Sequence, residues 1–96
     1  MENLIPANEF CINHQIEISF ISSLQEFGLI EVIVVKETSY IDSGQLRKLE
    51  SFLRMHYEMD INIEGIEAIT HLLERAELMQ NEITSLKNKL GLYEDN

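Results

Sequence analysis

Apolar residues change their spacing several times along this chain, and each change predicts a different element. Over Ala7 to His14, Phe10 and Cys11 are the inward positions of a short first helix, with Asn8 as its N-cap and a polar turn over Asn13 to Gln15. From Ile18 onward, Phe20, Ile21, Leu24 and Phe27 follow at steps of one, three and three, the one-sided stripe of a second helix. Gly28 then supplies the left-handed residue on which helices end. Glu31 to Lys36 turns rich in Val and Ile, and Thr38 to Ile41 alternates after a polar break, so this pair predicts a β-hairpin wing. Val32, Ile33, Val34 and Val35 cannot all face inward on a two-faced strand, which leaves one face of the wing as a candidate binding edge.

Beyond the wing the helical period returns. Asp42 or Ser43 is placed to cap a third helix whose apolar stripe runs through Leu46, Leu49, Phe52, Leu53 and Tyr57, until Asp60 interrupts it. Glu50, Arg54 and Glu58, at four-residue spacing, make its solvated charged face. Asn62 opens a last, long helix with Glu64 and Glu67 in or near its first turn, where carboxylates complement the helix dipole. It is expected to run to about Leu90 and to stop at Gly91.

Along that helix, Ile69, Leu72, Ala76, Met79, Ile83, Leu86 and Leu90 alternate steps of three and four, the rhythm of a coiled-coil seam. About 28 residues rising 1.5 Å each span roughly 42 Å, whereas a globule of about 60 residues has a radius of gyration near 10 Å. The helix must therefore overhang its own globule. An apolar stripe left in water calls for a second surface, and a homodimer through Met79, Ile83, Leu86 and Leu90 is expected. The competing arrangement folds the helix back on the third helix of the same subunit. The acidic tail Tyr93-Glu94-Asp95-Asn96 is expected to fray.

The elements add up to a mainly α chain with a small β-hairpin wing: a winged helix-turn-helix with its third helix over residues 1–62, then a long coiled-coil dimerisation helix and short acidic tail over residues 63–96, one structural domain overall. A chain of 96 residues buries only about 60–65% of its unfolded surface, so its stability without a partner is expected to be marginal.

Charge changes what this architecture implies. A helix-turn-helix reader of DNA typically makes about six to ten phosphate contacts with cationic side chains. Here Met1 through Val35 contains no Lys or Arg, and Glu2, Glu9, Glu17, Glu26 and Glu31 stand instead. Lys36 is the only cation of the wing, Arg47, Lys48 and Arg54 belong to the third helix, and Arg75, Lys87 and Lys89 to the last. Seven cations among seventeen acids give a net charge of −10. Such a field repels nucleic acid and anionic lipid and speeds encounter with a basic protein surface. DNA is not the expected partner.

Met1-Glu2-Asn3 offers no cationic leader region, and the strongly apolar run Val32 to Val35 is too short for a signal segment or a membrane span. A cytoplasmic protein without membrane association is expected. Cys11, the lone cysteine, permits no intrachain disulfide and reads as a small buried residue. His14, His56 and His71 lack the spacing of a helical metal clamp, Gly28, Gly44, Gly65 and Gly91 stand singly and form no phosphate loop, and Ser19, Ser22 and Ser23 have no histidine at a recognisable offset. No metal, cofactor or catalytic residue is expected, and an enzyme is the residual reading only.

The order of elements, with Gly28-Leu29-Ile30 closing the second helix and a wing ending on Tyr40-Ile41-Asp42, resembles the MerR-like winged-helix superfamily. Within it, Glu9-Phe10-Cys11, Glu26-Phe27-Gly28-Leu29-Ile30 and the stretch from Leu53 to Ile66 are most similar to the chaperone-modulator family. Its members tend to carry an Arg-x-His-x-Glu segment, here Arg54 to Glu58, then a short Asp-containing break and Gly-Ile opening the long helix. The resemblance implies a cytoplasmic, non-catalytic inhibitor that binds the J-domain of the curved-DNA-binding-protein type of DnaJ-like co-chaperone, on the basic helix that also engages Hsp70, and it could hinder DNA binding by that co-chaperone.

No local motif marks the family's contact positions, so the candidates come from physical grounds. They are the acids flanking the second helix and wing, Glu17, Glu26, Glu31 and Glu37, with Ile30 or Val32 as an exposed apolar anchor. Ordinary solvated acids are the alternative reading of the same residues. For the whole protein the alternative is a MerR-type DNA-binding transcriptional regulator, with the second helix in the major groove and the long helix setting half-site spacing.

Overall fold

The computed structural model describes residues 3–94, with side chains described through Gly91. The element order is β1 (Leu4–Pro6), α1 (Ala7–His14), α2 (Ile18–Glu26), β2 (Ile33–Val35), β3 (Thr38–Asp42), a 3-10 turn (Ser43–Gln45), α3 (Leu46–Leu53), a π-helical turn (Arg54–Glu58) and α4 (Ile63–Glu94). The expected class, mainly α with a small β wing, is the observed one.

Two differences arise at the start of the chain. A strand not anticipated from the spacing, β1, pairs antiparallel with β3 in the register Leu4↔Asp42 and Pro6↔Tyr40, so the sheet order is β1-β3-β2. Pro6, which lacks a backbone donor, sits at the end of this edge strand, where proline is tolerated. Because the paired strand delivers the chain directly into α1, the helix begins at Ala7 with Pro6 in the cap position. Asn8 is therefore inside the helix and is not its N-cap.

Both helices of the helix-turn-helix close in the same way. After α1, Gln15 takes a left-handed conformation, the Gln15 N–H donates to Ile12 C=O and the Ile16 N–H to Cys11 C=O. After α2, Gly28 has φ 73°, its N–H donates to Gln25 C=O, and the Leu29 N–H reaches Leu24 C=O at 2.9 Å. This paired closure satisfies carbonyls that a helix end leaves open and folds the next apolar residues back on the core. Gly28→Ala is expected to cost about 1 kcal/mol, because a Cβ there meets nothing within 4 Å and the penalty is that of the left-handed backbone alone. Thermal unfolding should register a drop of roughly 4–8 °C; an unchanged midpoint would show that this closure adds nothing.

The wing is a hairpin with a two-residue turn. Lys36 and Glu37 both have positive φ, 49° and 65°, the backbone of the turn type that matches strand twist, here built without glycine. Val35 pairs with Thr38 and Ile33 with Tyr40. At its base the Gln45 side-chain amide grips the backbone of Glu31 from both sides, accepting from the N–H at 2.8 Å and donating to the C=O at 2.7 Å.

Neither Asp42 nor Ser43 caps α3 directly. The 3-10 turn intervenes, and Asp42 makes no side-chain capping bond. The third helix then widens into the π-helical turn, where the Met59 N–H donates to Arg54 C=O and the Ile61 N–H to Met55 C=O. The wider turn shifts the stripe. Tyr57, expected inside, is 46% exposed, while His56 stacks on Phe20 with ring centroids 4.6 Å apart and donates from Nδ1 to Ile61 C=O at 2.9 Å. Asn62 caps α4 as expected, its Oδ1 accepting from the Gly65 N–H at 2.8 Å. A Cβ at Gly65 would stand 2.7 Å from Ile61 Cγ2, so glycine permits the close approach of this turn to the helix.

The core joins residues from nearly every element of the head, with Leu24, Ile41, Leu49 and Ile66 its most enclosed side chains. Every side chain of the last helix from His71 to Leu90 is exposed, although Leu73, Glu74 and Glu77 still line a groove with Lys48, Ser51, Phe52 and Met55. The radius of gyration is 18.3 Å, against about 12–13 Å for a compact chain of this length. Within the chain, α4 borders α3 over this first stretch. Gly91 does not stop the helix: it continues to Glu94, because glycine ends a helix only where a left-handed closure is made, and Gly91 has no such φ. Tyr93 and Glu94 are thus helical in backbone; Asp95 and Asn96, the rest of the expected frayed tail, lie outside the described residues.

Candidate interaction surface

The second helix is presented by the turn before it and the closure after it. Phe20, Ile21 and Leu24 hold one face in the core, and the opposite positions are left to solvent. Glu17 occupies its N-cap position with the carboxylate toward solvent, accepting from the Ser19 hydroxyl at 3.2 Å. Glu26 is its last residue. The two acids therefore stand at opposite ends of a nine-residue helix, roughly 13 Å apart along the axis, and no Lys or Arg lies between them.

Glu31 is exposed just before β2, with its backbone fixed by Gln45, and Glu37 is exposed in the wing turn beside Lys36. The four acids border α2 and the wing without forming one cluster. None is buried, and the described residues contain no buried polar or charged side chain. Carboxylates in that setting are solvated surface charges.

Ile30 cannot serve as the exposed anchor. It is only 3% exposed, because the closure at Gly28 turns Leu29 and Ile30 inward together. Val32 is half-buried and packs against the core. The exposed apolar residues of this region are others: Ile12 at 74%, Val34 at 63%, and also Ile18 and Ile33. Ile12 follows the buried pair Phe10 and Cys11 on α1, off the inward face, which is a sequence signal for exposure. For Val34 the signal was the run of four β-branched residues, whose outward member the spacing alone does not identify.

Burial pushes the Cys11 thiol above its ordinary value, which keeps it neutral and a poor nucleophile. Among the described residues no group of three or more His, Cys, Asp or Glu is placed to hold a metal ion, and no helix is long and apolar enough to cross a membrane. His14 lies against Phe10 with ring centroids 4.1 Å apart, and His71 stands 3.8 Å from Glu74 on the exposed helix.

The dimerisation candidates Met79, Ile83, Leu86 and Leu90 are all exposed on α4, as is Leu72. Leu73 and Leu78 are exposed off the seam, so the apolar surface is wider than the spacing of three and four alone describes.

A family model described as "MerR HTH family regulatory protein" matches residues 5–88. No curated protein and no solved structure matches the chain.

Proposed function

The chain belongs to the MerR helix-turn-helix regulatory family, and from that premise we propose that it is a non-catalytic chaperone modulator, which binds the J-domain of a DnaJ-like co-chaperone and inhibits its work with Hsp70. The observation that carries this reading is the charge of the helix-turn-helix. The helix that such a fold offers to a partner bears no cation and has an acid at each end. A polyanion is repelled by that surface, and a basic helix is attracted to it. The resemblance of Leu53 to Ile66 to the chaperone-modulator family supports the same reading.

Inhibition is by occupancy. Covering the basic helix of the J-domain removes the surface that Hsp70 needs, and the same contact hinders DNA binding by the co-chaperone. Glu17, Glu26, Glu31 and Glu37 steer the encounter and set its register, each worth about 0–1 kcal/mol as a rim charge. Most of the affinity then comes from exposed apolar residues beside them, for which Val34, Ile33 and Ile18 are better placed than Ile30. The protein works in the cytoplasm as a homodimer paired through α4.

One observation favours a second reading: the matched family is described as regulatory, which fits a DNA-binding transcriptional regulator. Titration against the J-domain of a co-chaperone encoded in the same genome separates the two. Saturable binding that weakens with salt is expected, and Glu26→Lys should weaken it roughly three- to tenfold at low ionic strength, chiefly through slower association. Tight, salt-dependent binding to duplex DNA at about 50 mM salt, with no response to the J-domain, would establish the regulator instead.

A further inference from the structure

Both arginines of the head face one groove. It lies between the α1–α2 turn and the exposed side of α3 with its π-helical turn, holds about 700 Å3, and is open to solvent. Arg47 and Arg54 are seven residues apart, two turns of helix, and so project from the same side. Neither forms an ion pair within 4.0 Å among the described residues, although Glu50 and Glu58 lie one turn away on the same wall. Apolar lining between them comes from Ile16, Leu53 and the ring of Tyr57.

We propose that this groove docks an acidic, aliphatic-containing segment of a protein partner, with a carboxylate of that segment held between Arg47 and Arg54 and an aliphatic side chain laid on Ile16 and Leu53. Charge complementarity selects the occupant. The complementarity is local: Arg47 and Arg54 are the two cations that line the groove, and neither is ion-paired among the described residues. The guanidinium fork matches a carboxylate bidentately and is weakly hydrated, so it surrenders little to make the contact.

The shape argues for a peptide over a metabolite, since an open trough cannot enclose most of a small molecule's surface. Duplex DNA fits less well than a discrete carboxylate. It has no aliphatic group for the apolar lining of Ile16 and Leu53. Glu50 and Glu58 on the same wall can accept hydrogen bonds from the N–H groups of a peptide backbone. None of the residues assigned to the co-chaperone contact lines this groove, so the inference stands apart from that reading.

The test is a titration of the 15N-labelled full chain with three probes: a blocked decapeptide alternating Glu and Leu, its Lys and Leu counterpart, and a random DNA duplex. The acidic peptide should shift the amides of His14 to Ile16 and of Arg47 to Glu58, with an affinity on the order of 1 mM. The double variant Arg47→Gln/Arg54→Gln, altered only at exposed positions, should keep the same spectrum without peptide and bind it about tenfold more weakly. The proposal is overturned if the acidic peptide leaves those amides unmoved, if the variant binds it equally, if the Lys and Leu peptide moves them as much, or if the duplex moves them and the acidic peptide does not.

Discussion

Leu24→Ala is expected to destabilise the head by about 3–5 kcal/mol, the range for truncating a fully enclosed leucine that leaves a cavity. Leu24 is 0% exposed, in the middle of the core, and its carbonyl also receives the Leu29 N–H that closes α2. Typical stabilities of about 0.05–0.15 kcal/mol per residue give a chain of 96 residues roughly 5–14 kcal/mol, so the loss takes a large share of what is available. The urea midpoint should fall steeply with little change in slope, and the near-ultraviolet dichroism of Phe20, Tyr40 and Tyr57 should disappear with it. Ile12→Ala serves as the contrast. At 74% exposure it should move the midpoint by no more than about 0.5 kcal/mol. Equal midpoints for the two variants would mean that the head's core is elsewhere.

The contrast between Leu24 and Ile12 also marks what was legible in the sequence. Helical periodicity found α1, α2, α3 and α4 because each carries a local stripe, and Phe10, Cys11, Phe20, Ile21, Leu24, Leu49 and Phe52 are buried as that stripe requires. The hairpin was legible for the same reason. What escaped depends on contacts distant in sequence or on a local change of helical pitch. Leu4-Ile5-Pro6 becomes a strand only because β3 lies beside it, a pairing across more than thirty residues. Tyr57 was placed inside by a period of 3.6 that the π-helical turn does not keep.

The site was less legible than the fold. The absence of cations from the helix-turn-helix is a property of composition, readable before any geometry, whereas Ile30 was misjudged because the closure at Gly28 redirects the chain. The segment Arg54-Met55-His56-Tyr57-Glu58 has a different lesson. Its His56 ties the end of the third helix to Ile61, and Asp60 with φ 54° and Gly65 shape the turn into α4. The residues that carry the chaperone-modulator resemblance are thus largely architectural, so a resemblance there speaks to the turn between the third helix and α4 and leaves the contact surface to be found by charge and exposure. Arg54, Tyr57 and Glu58 are the exceptions, since they line the groove.

Ile83→Asp is expected to convert a dimer to a monomer, with a dissociation constant raised by about a thousandfold or more. Ile83 lies within the exposed seam and is itself 45% exposed in a single chain, so the substitution has little to disturb within the head. In a dimer it meets the apolar face of the partner helix. Each carboxylate would be desolvated without a cation, at a cost of a few kcal/mol, and a two-chain assembly carries the substitution twice. Every 1.4 kcal/mol is a factor of ten in affinity, so about 4 kcal/mol suffices for the predicted change. Sedimentation equilibrium at tens of micromolar would follow the mass, and dichroism at 222 nm the helix, because an overhang of about 20 residues is marginal as an isolated helix in water. Asn81→Asp, on the side of α4 away from the seam, adds the same charge and should leave both readouts unchanged. If the native chain is already a monomer at these concentrations and Ile83→Asp is equally helical, α4 is stable unpaired and its apolar stripe serves something other than a second copy.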